Sequence, residues 1–231
     1  MNDLANPSGA LEGDPRYGLS ESELKLYYMN KSPCWFIHIE LDIDKFIEID
    51  DSKRRKHKEY FITQSDRIRF VGPIKEEDGI NITGFLILLD APDRGVATLW
   101  VENDPYFMND IYKGFNITRW SSSMEMRQLD YPRMKGWEQF VIIAIDGPDG
   151  NTLRNSVAGD HHEYQALVME RYVARGPLQN DSGSELIGSL MIMEFPSLHA
   201  CEEFWRKEPL NYAGVFKEVM LSRWAYGEEI E

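Results

Sequence analysis

The chain is poor in the features that mark secreted, zinc-binding or membrane-spanning proteins. Among its 231 residues are only two cysteines, Cys34 and Cys201, and neither belongs to a Cys-x-x-Cys pair. A disulfide framework and a structural zinc site are therefore disfavoured. No apolar run approaches the length of about 18 residues that a membrane span needs. The opening segment, MNDLANPSGALEGDP, lacks the basic and apolar regions of a signal peptide, so we expect a cytoplasmic protein.

Positive charge is also scarce. The 25 Lys and Arg residues are outnumbered by 39 Asp and Glu residues, which gives a formal net charge of −14. Such a surface repels phosphate backbones and anionic lipids, so neither nucleic acid nor a membrane is expected as a partner. Nucleotide-binding glycine motifs and the Gly-x-Ser-x-Gly motif of serine hydrolases do not occur. The expected partner is a small-molecule substrate, and no cofactor is expected.

What the sequence does contain is a repeat. QFVIIAID at 139–146 resembles WFIHIELD at 35–42, and HHEYQ at 161–165 resembles HKEYF at 57–61. Both pairs have the same offset (161 − 57 = 104). Further identical pairs keep this offset: Gly72/Gly176, Pro73/Pro177, Gly79/Gly183, Gly84/Gly188, Leu86/Leu190, Pro92/Pro196, Pro105/Pro209, Arg119/Arg223 and Trp120/Trp224. Because the register does not drift, we interpret the chain as a duplication.

The shared pattern predicts the same elements in each half. Strands at 35–41 and 139–145 lead into first helices at 52–65 and 153–171. Second strands at 67–71 and 171–175 end at the Gly-Pro pairs, and third strands follow at 84–90 and 188–194. A second helix begins after Pro92 or Pro196, and a last strand closes at the Arg-Trp pair. The order βαββαβ is the ferredoxin-like plan, an α+β fold.

The third strands decide how the halves pack. GFLILLD and GSLMIME are apolar at nearly every position, so each must be covered on both faces. Helices cover one face, and the sheet of the other half is the natural cover for the second. We therefore expect two tandem ferredoxin-like domains packed sheet to sheet as an intramolecular dimeric α+β barrel, a pseudo-dimer within one chain that is compatible with a further homodimer. The expected divisions are an N-terminal arm at 1–30 with a helix capped near Ser20, a first domain at 31–121, a linker at 122–136 and a second domain at 137–231.

Repeated polar residues are the candidates for chemistry. Asp42 and Asp146 close the first strands, while His57 and His161 lie early in the first helices. Because that helix runs back over the sheet, its opening turns should lie above the strand end that carries the Asp. Each Asp would then orient its His and raise its basicity, as a general base requires. The alternative is a structural cluster in which the His bonds a carbonyl.

Tyr60 and Tyr164 lie three residues after each His and share its helix face. They are predicted substrate contacts unless they pack in the core. Of two basic positions that can hold an anion, the first half keeps Arg54 and the second keeps Arg154. This difference makes a single working site an open alternative to two.

The residues around the first strand favour the first half as the more polar cavity. His38 and Glu40 share the face of Asp42, whereas Ile142 and Ala144 replace them in the second half. His38, Glu40 and Asp42 could bind a metal together with His57, but a lone histidine on a strand more often makes a hydrogen bond within the fold. No metal is expected.

The complete pattern resembles a known family. The strand-end Asp, helical Arg-x-x-His-x-x-Tyr, Gly-Pro, apolar third strand, Asp/Glu-Pro and terminal Arg-Trp are similar to the YCII-related domain family of the dimeric α+β barrel superfamily. The resemblance covers 35–121 and 139–225. It implies sheet-to-sheet pairing and a His–Asp centre, which maps onto His57 with Asp42 and onto His161 with Asp146. Its characterised relatives act on small cyclic compounds without redox cofactors.

These observations predict a cofactor-independent lyase, isomerase or dehydrohalogenase for a small cyclic or phenolic acid. His57 and His161 would be the general acid or base, with Asp42 and Asp146 as their orienting partners. Tyr60, Arg54, Tyr164 and Arg154 would contact the substrate. Two alternatives stay open: a non-catalytic ligand-binding or accessory protein that uses the barrel cavity, and a structural role in an assembly through the arm.

Overall fold

A computed structural model of the chain describes Ala10 and residues 12–230, so residues 1–9 and 11 of the predicted arm lie outside it. The helices are α1 (Glu21–Asn30), α2 (Ile43–Ile47), α3 (Asp51–Thr63), α4 (Arg94–Glu102), α5 (Gly150–Ser156), α6 (Ala158–Ala166), α7 (Leu198–Lys207) and α8 (Pro209–Tyr212). The strands are β1 (Cys34–Leu41), β2 (Ile68–Lys75), β3 (Ile82–Asp90), β4 (Tyr112–Trp120), β5 (Glu138–Asp146), β6 (Tyr172–Gln179), β7 (Leu186–Phe195) and β8 (Phe216–Trp224).

The eight strands form a closed barrel in the order β1-β3-β2-β8-β5-β7-β6-β4. Within each half the strands pair antiparallel, as the ferredoxin-like plan requires. The halves join where β2 meets β8, with Ile74 opposite Trp224, and where β4 meets β6, with Trp120 opposite Leu178. The predicted intramolecular α+β barrel is confirmed.

Three apolar layers hold the barrel together. The side chains that alternate along β1 divide between two of them: Trp35, Ile37 and Ile39 pack beneath the helices of the first half. Phe36, on the opposite face, joins Leu86 and Leu88 and residues of the second half in a core between the two sheets. The third layer lies between the second sheet and its helices. The continuous apolar pattern of the third strands thus has its predicted cause, and the barrel interior is filled by side chains.

Each Gly-Pro pair lies where its strand contacts a backbone segment of the other half of the chain. A Cβ on Gly72 would lie 1.9 Å from the carbonyl oxygen of Ala225, and one on Gly176 would lie 1.9 Å from that of Ser121. Only glycine permits so close an approach of two backbones. The strands continue through these pairs to Lys75 and Gln179, so the predicted strand ends at Gly-Pro were too early.

Local capping sets several helix starts. Ser20 forms a capping box with Glu23 at α1, the helix expected in the arm, and Asp50 caps α3. The predicted helix at 153–171 is broken, because the backbone leaves the helical region at Val157, and it ends at Ala166. Across the described residues, no helix combines the length and hydrophobicity needed to cross a bilayer.

Candidate functional site

His57 is held by an acidic residue, but the acid is Asp104 and not the predicted Asp42. The Nδ1 atom of His57 lies 2.7 Å from Oδ1 of Asp104, just beyond the end of α4. Asp104 is fully buried, and its carboxylate also accepts hydrogen bonds from the backbone N–H of Tyr106 at 2.9 Å and from the Tyr112 hydroxyl at 2.5 Å. These bonds fix the carboxylate against the imidazole.

Asp42 has a different task. Its side chain accepts the backbone N–H of Lys45 at 3.3 Å and forms an ion pair with the Lys45 ammonium at 3.3 Å, so it is the N-cap of α2. The prediction of an Asp42–His57 pair was wrong because this short helix begins directly at the strand end. Its first turn presents free N–H groups that capture the carboxylate.

The second half repeats this correction. Nδ1 of His161 lies 2.5 Å from Oε1 of Glu208, which occupies the position of Asp104 (208 − 104 = 104). Asp146 instead forms a bidentate pair with Arg154, at 2.7 Å and 2.6 Å. The predicted Asp146–His161 pair was wrong because Arg154, on the helix that follows the strand, forms an ion pair with the strand-end carboxylate.

Tyr60, Tyr164 and Arg54, which were predicted to contact the substrate, form hydrogen bonds with other residues of the protein instead. The Tyr60 hydroxyl donates to the carbonyl of Trp100 at 2.7 Å, and that of Tyr164 donates to the carbonyl of Phe204 at 3.0 Å. Arg54 is exposed; it donates to the Phe46 carbonyl and lies over the Phe46 ring. These bonds tie the first helix of each half to its surroundings. Of the predicted contacts, Arg154 borders a cavity.

His57 is sealed inside the first half. The residue is 4% exposed, and three rings surround the imidazole: Tyr106 stacks on it at 3.7 Å between ring centroids, with Phe61 at 4.5 Å and Phe85 at 6.4 Å. Its Nε2 is buried and makes no hydrogen bond within the described part of the chain. His57 is thus closed off from the polar cavity that was predicted for the first half.

The C-terminal segment adds to this seal. The backbone N–H of Gly227 donates to the Val71 carbonyl at 2.8 Å, and Ile230 is buried in the core of the first half. Glu229 is partly buried between them and interacts electrostatically with His57. Burial is the largest cause that raises the pKa of Glu229, and the nearby His57 acts in the opposite direction.

In the second half the same space is open. Where Phe61, Phe85 and Tyr106 surround His57, the offset of 104 places Gln165, Ser189 and Leu210 beside His161. A cavity of about 280 Å³ results. The His161 side chain is 16% exposed, whereas that of His57 is 5% exposed. The loss of three rings thus gives the second imidazole access to a ligand-sized space.

Two arginines contribute to the polar lining of this cavity. Arg154 donates to Asp146 and, at 3.0 Å, to the hydroxyl of Ser189. Arg175, on β6, also lines the cavity and is 5% exposed. Burial is the main cause that lowers the pKa of Arg175, and the positive charge of Arg16 acts in the same direction.

Sequence reasoning missed Glu208, Ser189 and Arg175. Glu208 and its counterpart Asp104 were visible as the repeated Asp/Glu-Pro pattern, but that pattern did not connect them with the histidines. Ser189 and Arg175 could have been found by comparing the two halves, because the matched residues of the first half are the apolar Phe85 and Val71. Among Ala10 and residues 12–230, no group of three or more His, Cys, Asp or Glu side chains is placed to hold a metal ion.

Comparisons with known proteins agree with this architecture. Residues 139–225 match the family model of the YCII-related domain. No curated protein matches the chain. The chlorite dismutase from Candidatus Nitrospira defluvii, in complex with imidazole, is 9% identical over 89% of this chain and 97% of its own, with a TM-score of 0.54.

Two further structures are similar. A heme-binding protein from Thermus thermophilus is 8% identical over 84% of this chain and 91% of its own, with a TM-score of 0.51. The 5-chloro-2-hydroxyhydroquinone dehydrochlorinase from Burkholderia phenoliruptrix, in complex with 2,5-dihydroxybenzoquinone, is 24% identical over 40% of this chain and 99% of its own, with a TM-score of 0.37. For the chlorite dismutase and the heme-binding protein, whose TM-scores exceed 0.5, the similarity concerns the fold.

Proposed function

We propose that the protein is a cofactor-independent lyase, isomerase or dehydrohalogenase for a small cyclic or phenolic acid, and that the second half carries the reaction. One observation carries this proposal: His161 lines an open cavity while its Nδ1 is held by the buried carboxylate of Glu208. The half that matches the YCII-related domain is also the half with the open cavity, which supports the assignment.

His161 is the general acid and base in this proposal. A carboxylate at Nδ1 favours the tautomer with the proton on Nδ1, which leaves Nε2 as the basic nitrogen. Nε2 removes a proton from the substrate, and the electron pair of the broken bond forms a double bond. In a lyase or dehydrohalogenase the leaving group departs with its own bonding pair; in an isomerase the imidazolium returns the proton at another atom. Glu208 stabilises the imidazolium throughout.

Arg154 has a positioning task. Because Asp146 neutralises its charge, Arg154 with Ser189 forms a hydrogen-bonding wall and not a strongly cationic site. Such a wall suits hydroxyl or keto groups on a ring. Asp146 therefore serves the site through Arg154, and not through His161 as the sequence suggested.

The first half is the diverged copy in this proposal. We assign residues 31–121 and 137–231 to two copies of one domain, with 122–136 as the linker and 1–30 as the arm. In the first copy the aromatic seal around His57 replaces a substrate with protein side chains. The pair His57–Asp104 then stabilises the fold and takes no part in turnover.

The test is turnover by two matched variants. Chlorinated hydroquinones and hydroxybenzoates are assayed by ultraviolet absorbance and by chloride release. His161→Gln should lower kcat by about 10²–10⁴-fold, the usual contribution of a positioned general base. His57→Gln, at the matched position, should leave kcat within about twofold for the fraction that folds. Turnover that survives His161→Gln unchanged would overturn the assignment.

The rival is a non-catalytic ligand-binding or accessory protein. Its ligand would occupy the same cavity, because side chains fill the interior between the sheets. The observation that favours it is that Tyr60, Tyr164 and the strand-end carboxylates all serve the fold. Binding of a phenolic acid without any conversion, in the native protein and in His161→Gln alike, would establish the rival.

A heme group, which one neighbour binds, fits this chain poorly. An imidazole with Nδ1 on a carboxylate is a suitable axial ligand. The cavity at His161, however, measures about 280 Å³ and has the Arg154–Ser189 hydrogen bond in its wall, which suits a smaller ligand than a macrocycle of four pyrrole rings. We derive no reaction step through heme. Added hemin should give no shifted Soret band.

A further inference from the structure

A second chamber adjoins the cavity at His161. It measures about 640 Å³ and shares four wall residues with the first: Ser123, His162, Gln165 and Arg175. We call the cavity at His161 the inner chamber and this one the outer chamber. The arm contributes Arg16 and Tyr28 to the outer chamber, the first domain contributes its last residue, Ser121, and the linker contributes Ser122. The second site is thus extended by two segments that lie outside the match to the family model.

The wall supplied by the arm is fixed in place. Arg16 is 2% exposed, and its guanidinium binds Asp14 at 2.9 Å and 2.7 Å. It also donates to the Ser123 carbonyl at 2.9 Å and to the Tyr28 hydroxyl at 3.1 Å. These bonds hold the arm against the linker, so the outer chamber is a built feature of the fold.

Arg175 lies at the boundary between the chambers. Its guanidinium carbon is 4.9 Å from the centre of the Tyr172 ring, and the residue is 5% exposed. The matched residue of the first half is Val71, at the sealed site. At this matched position a cation occurs in the open half only, and its burial costs desolvation energy that an anion at the boundary would partly recover. The lowered pKa of Arg175 agrees with this electrostatic strain.

We propose that the outer chamber binds the anionic group of the substrate at Arg175, while the ring of the same molecule occupies the inner chamber beside His161. This assignment rests on the proposed function, and it replaces Arg54 and Arg154 as anion contacts. The two chambers define the substrate class: a phenolic ring joined to a carboxylate by a short flexible chain. Ser121, Ser122, Ser123 and His162 also line the outer chamber.

The test compares an acid with its uncharged amide. The probes are 3-(4-hydroxyphenyl)propanoate and 3-(4-hydroxyphenyl)propanamide, titrated calorimetrically into the full chain at neutral pH. The native protein should bind the acid at least about tenfold more tightly, which is the effect of one charge-assisted hydrogen bond. Arg175→Val, which installs the residue of the first half, should abolish that preference. Arg175→Lys should keep most of it, because the charge remains.

A further variant separates this inference from the proposed function. His161→Gln should retain the preference for the acid, since the outer chamber is intact, even though turnover is lost. If Arg175→Val still prefers the acid, or if the native protein binds acid and amide equally or binds neither, the anion site is wrong. A preserved preference in His161→Gln together with unchanged turnover would contradict the catalytic assignment and leave the anion site standing.

Discussion

His161 lies in α6 and Glu208 lies between α7 and α8, yet Nδ1 and Oε1 are 2.5 Å apart. The other carboxylate oxygen of Glu208 accepts the backbone N–H of Asn211 at 3.0 Å, which caps α8. One buried carboxylate therefore fixes both the imidazole and the start of the next helix. In the first half Asp104 makes the equivalent bond to His57, so the pairing itself is duplicated although access to it is not.

Glu208→Gln should lower kcat by about 10²–10⁴-fold with little change in KM, because an amide can present its N–H to Nδ1 and stabilise the wrong tautomer. Steady-state kinetics on the probe that the native enzyme converts best gives both constants. Asp104→Asn is the matched control and should reduce only the free energy of unfolding. A fall in kcat that is as large for Asp104→Asn as for Glu208→Gln would contradict the assignment.

Asp42→Ala should reduce the free energy of unfolding by about 1 kcal/mol, because α2 loses its N-cap. Asp42→Asn keeps a capping side chain and should lose less. Neither change should alter turnover, since Asp42 has no bond to His57. Urea unfolding and the turnover assay together check this, and a loss of kcat in Asp42→Asn would revive the original pairing of Asp42 with His57.

Ser189→Phe should close the inner chamber, because it places at His161 the ring that Phe85 places at His57. The expected result is loss of phenol binding in calorimetry with the fold retained by circular dichroism. Ser189→Ala is the control: it removes the hydrogen bond from Arg154 but keeps the space. Undiminished binding by a folded Ser189→Phe protein would show that ligands use another site.

The C-terminal segment should respond to pH through Glu229. Burial raises the pKa of this carboxyl in the folded state above its ordinary value of 4.5, so the protonated form is the one that the fold favours. The stabilisation is present below the unfolded pKa and is lost as the pH rises through the folded pKa.

Glu229→Gln removes this titration. Urea unfolding from acidic to neutral pH should show the variant gaining stability relative to the native protein as the pH rises. His57 and Lys58, whose charges lower the pKa of Glu229, are the same in both proteins. A difference in stability that does not change with pH would contradict the buried placement of Glu229.

The fold was predictable because apolar patterning is a repeated, redundant signal. The constant offset of 104 and the uninterrupted apolar third strands were sufficient to predict a barrel with three packed layers. The partners of the histidines were not predictable from the strand ends. Each strand-end carboxylate binds a nearer partner: Asp42 accepts a hydrogen bond from the first turn of α2, and Asp146 pairs with Arg154. Which partner is nearer depends on a few ångströms of backbone position, and sequence spacing does not specify that position.

The difference between an open and a sealed site is present in the sequence. Comparing Phe61 with Gln165 and Phe85 with Ser189 at the fixed offset shows which half lacks bulk around its histidine. The seal by Ile230 could not be anticipated, because the path of the chain after β8 follows from backbone bonds to Val71 and Pro73.

The central claim is that the site at His161 is open to a ligand, whereas side chains of the protein fill the site at His57. A crystal structure of the protein soaked with 3-(4-hydroxyphenyl)propanoate tests it most directly. The account predicts the ring beside His161 and the carboxylate at Arg175, with the core around His57 unchanged. A probe bound beside His57, with Ile230 displaced and the second half empty, would contradict it.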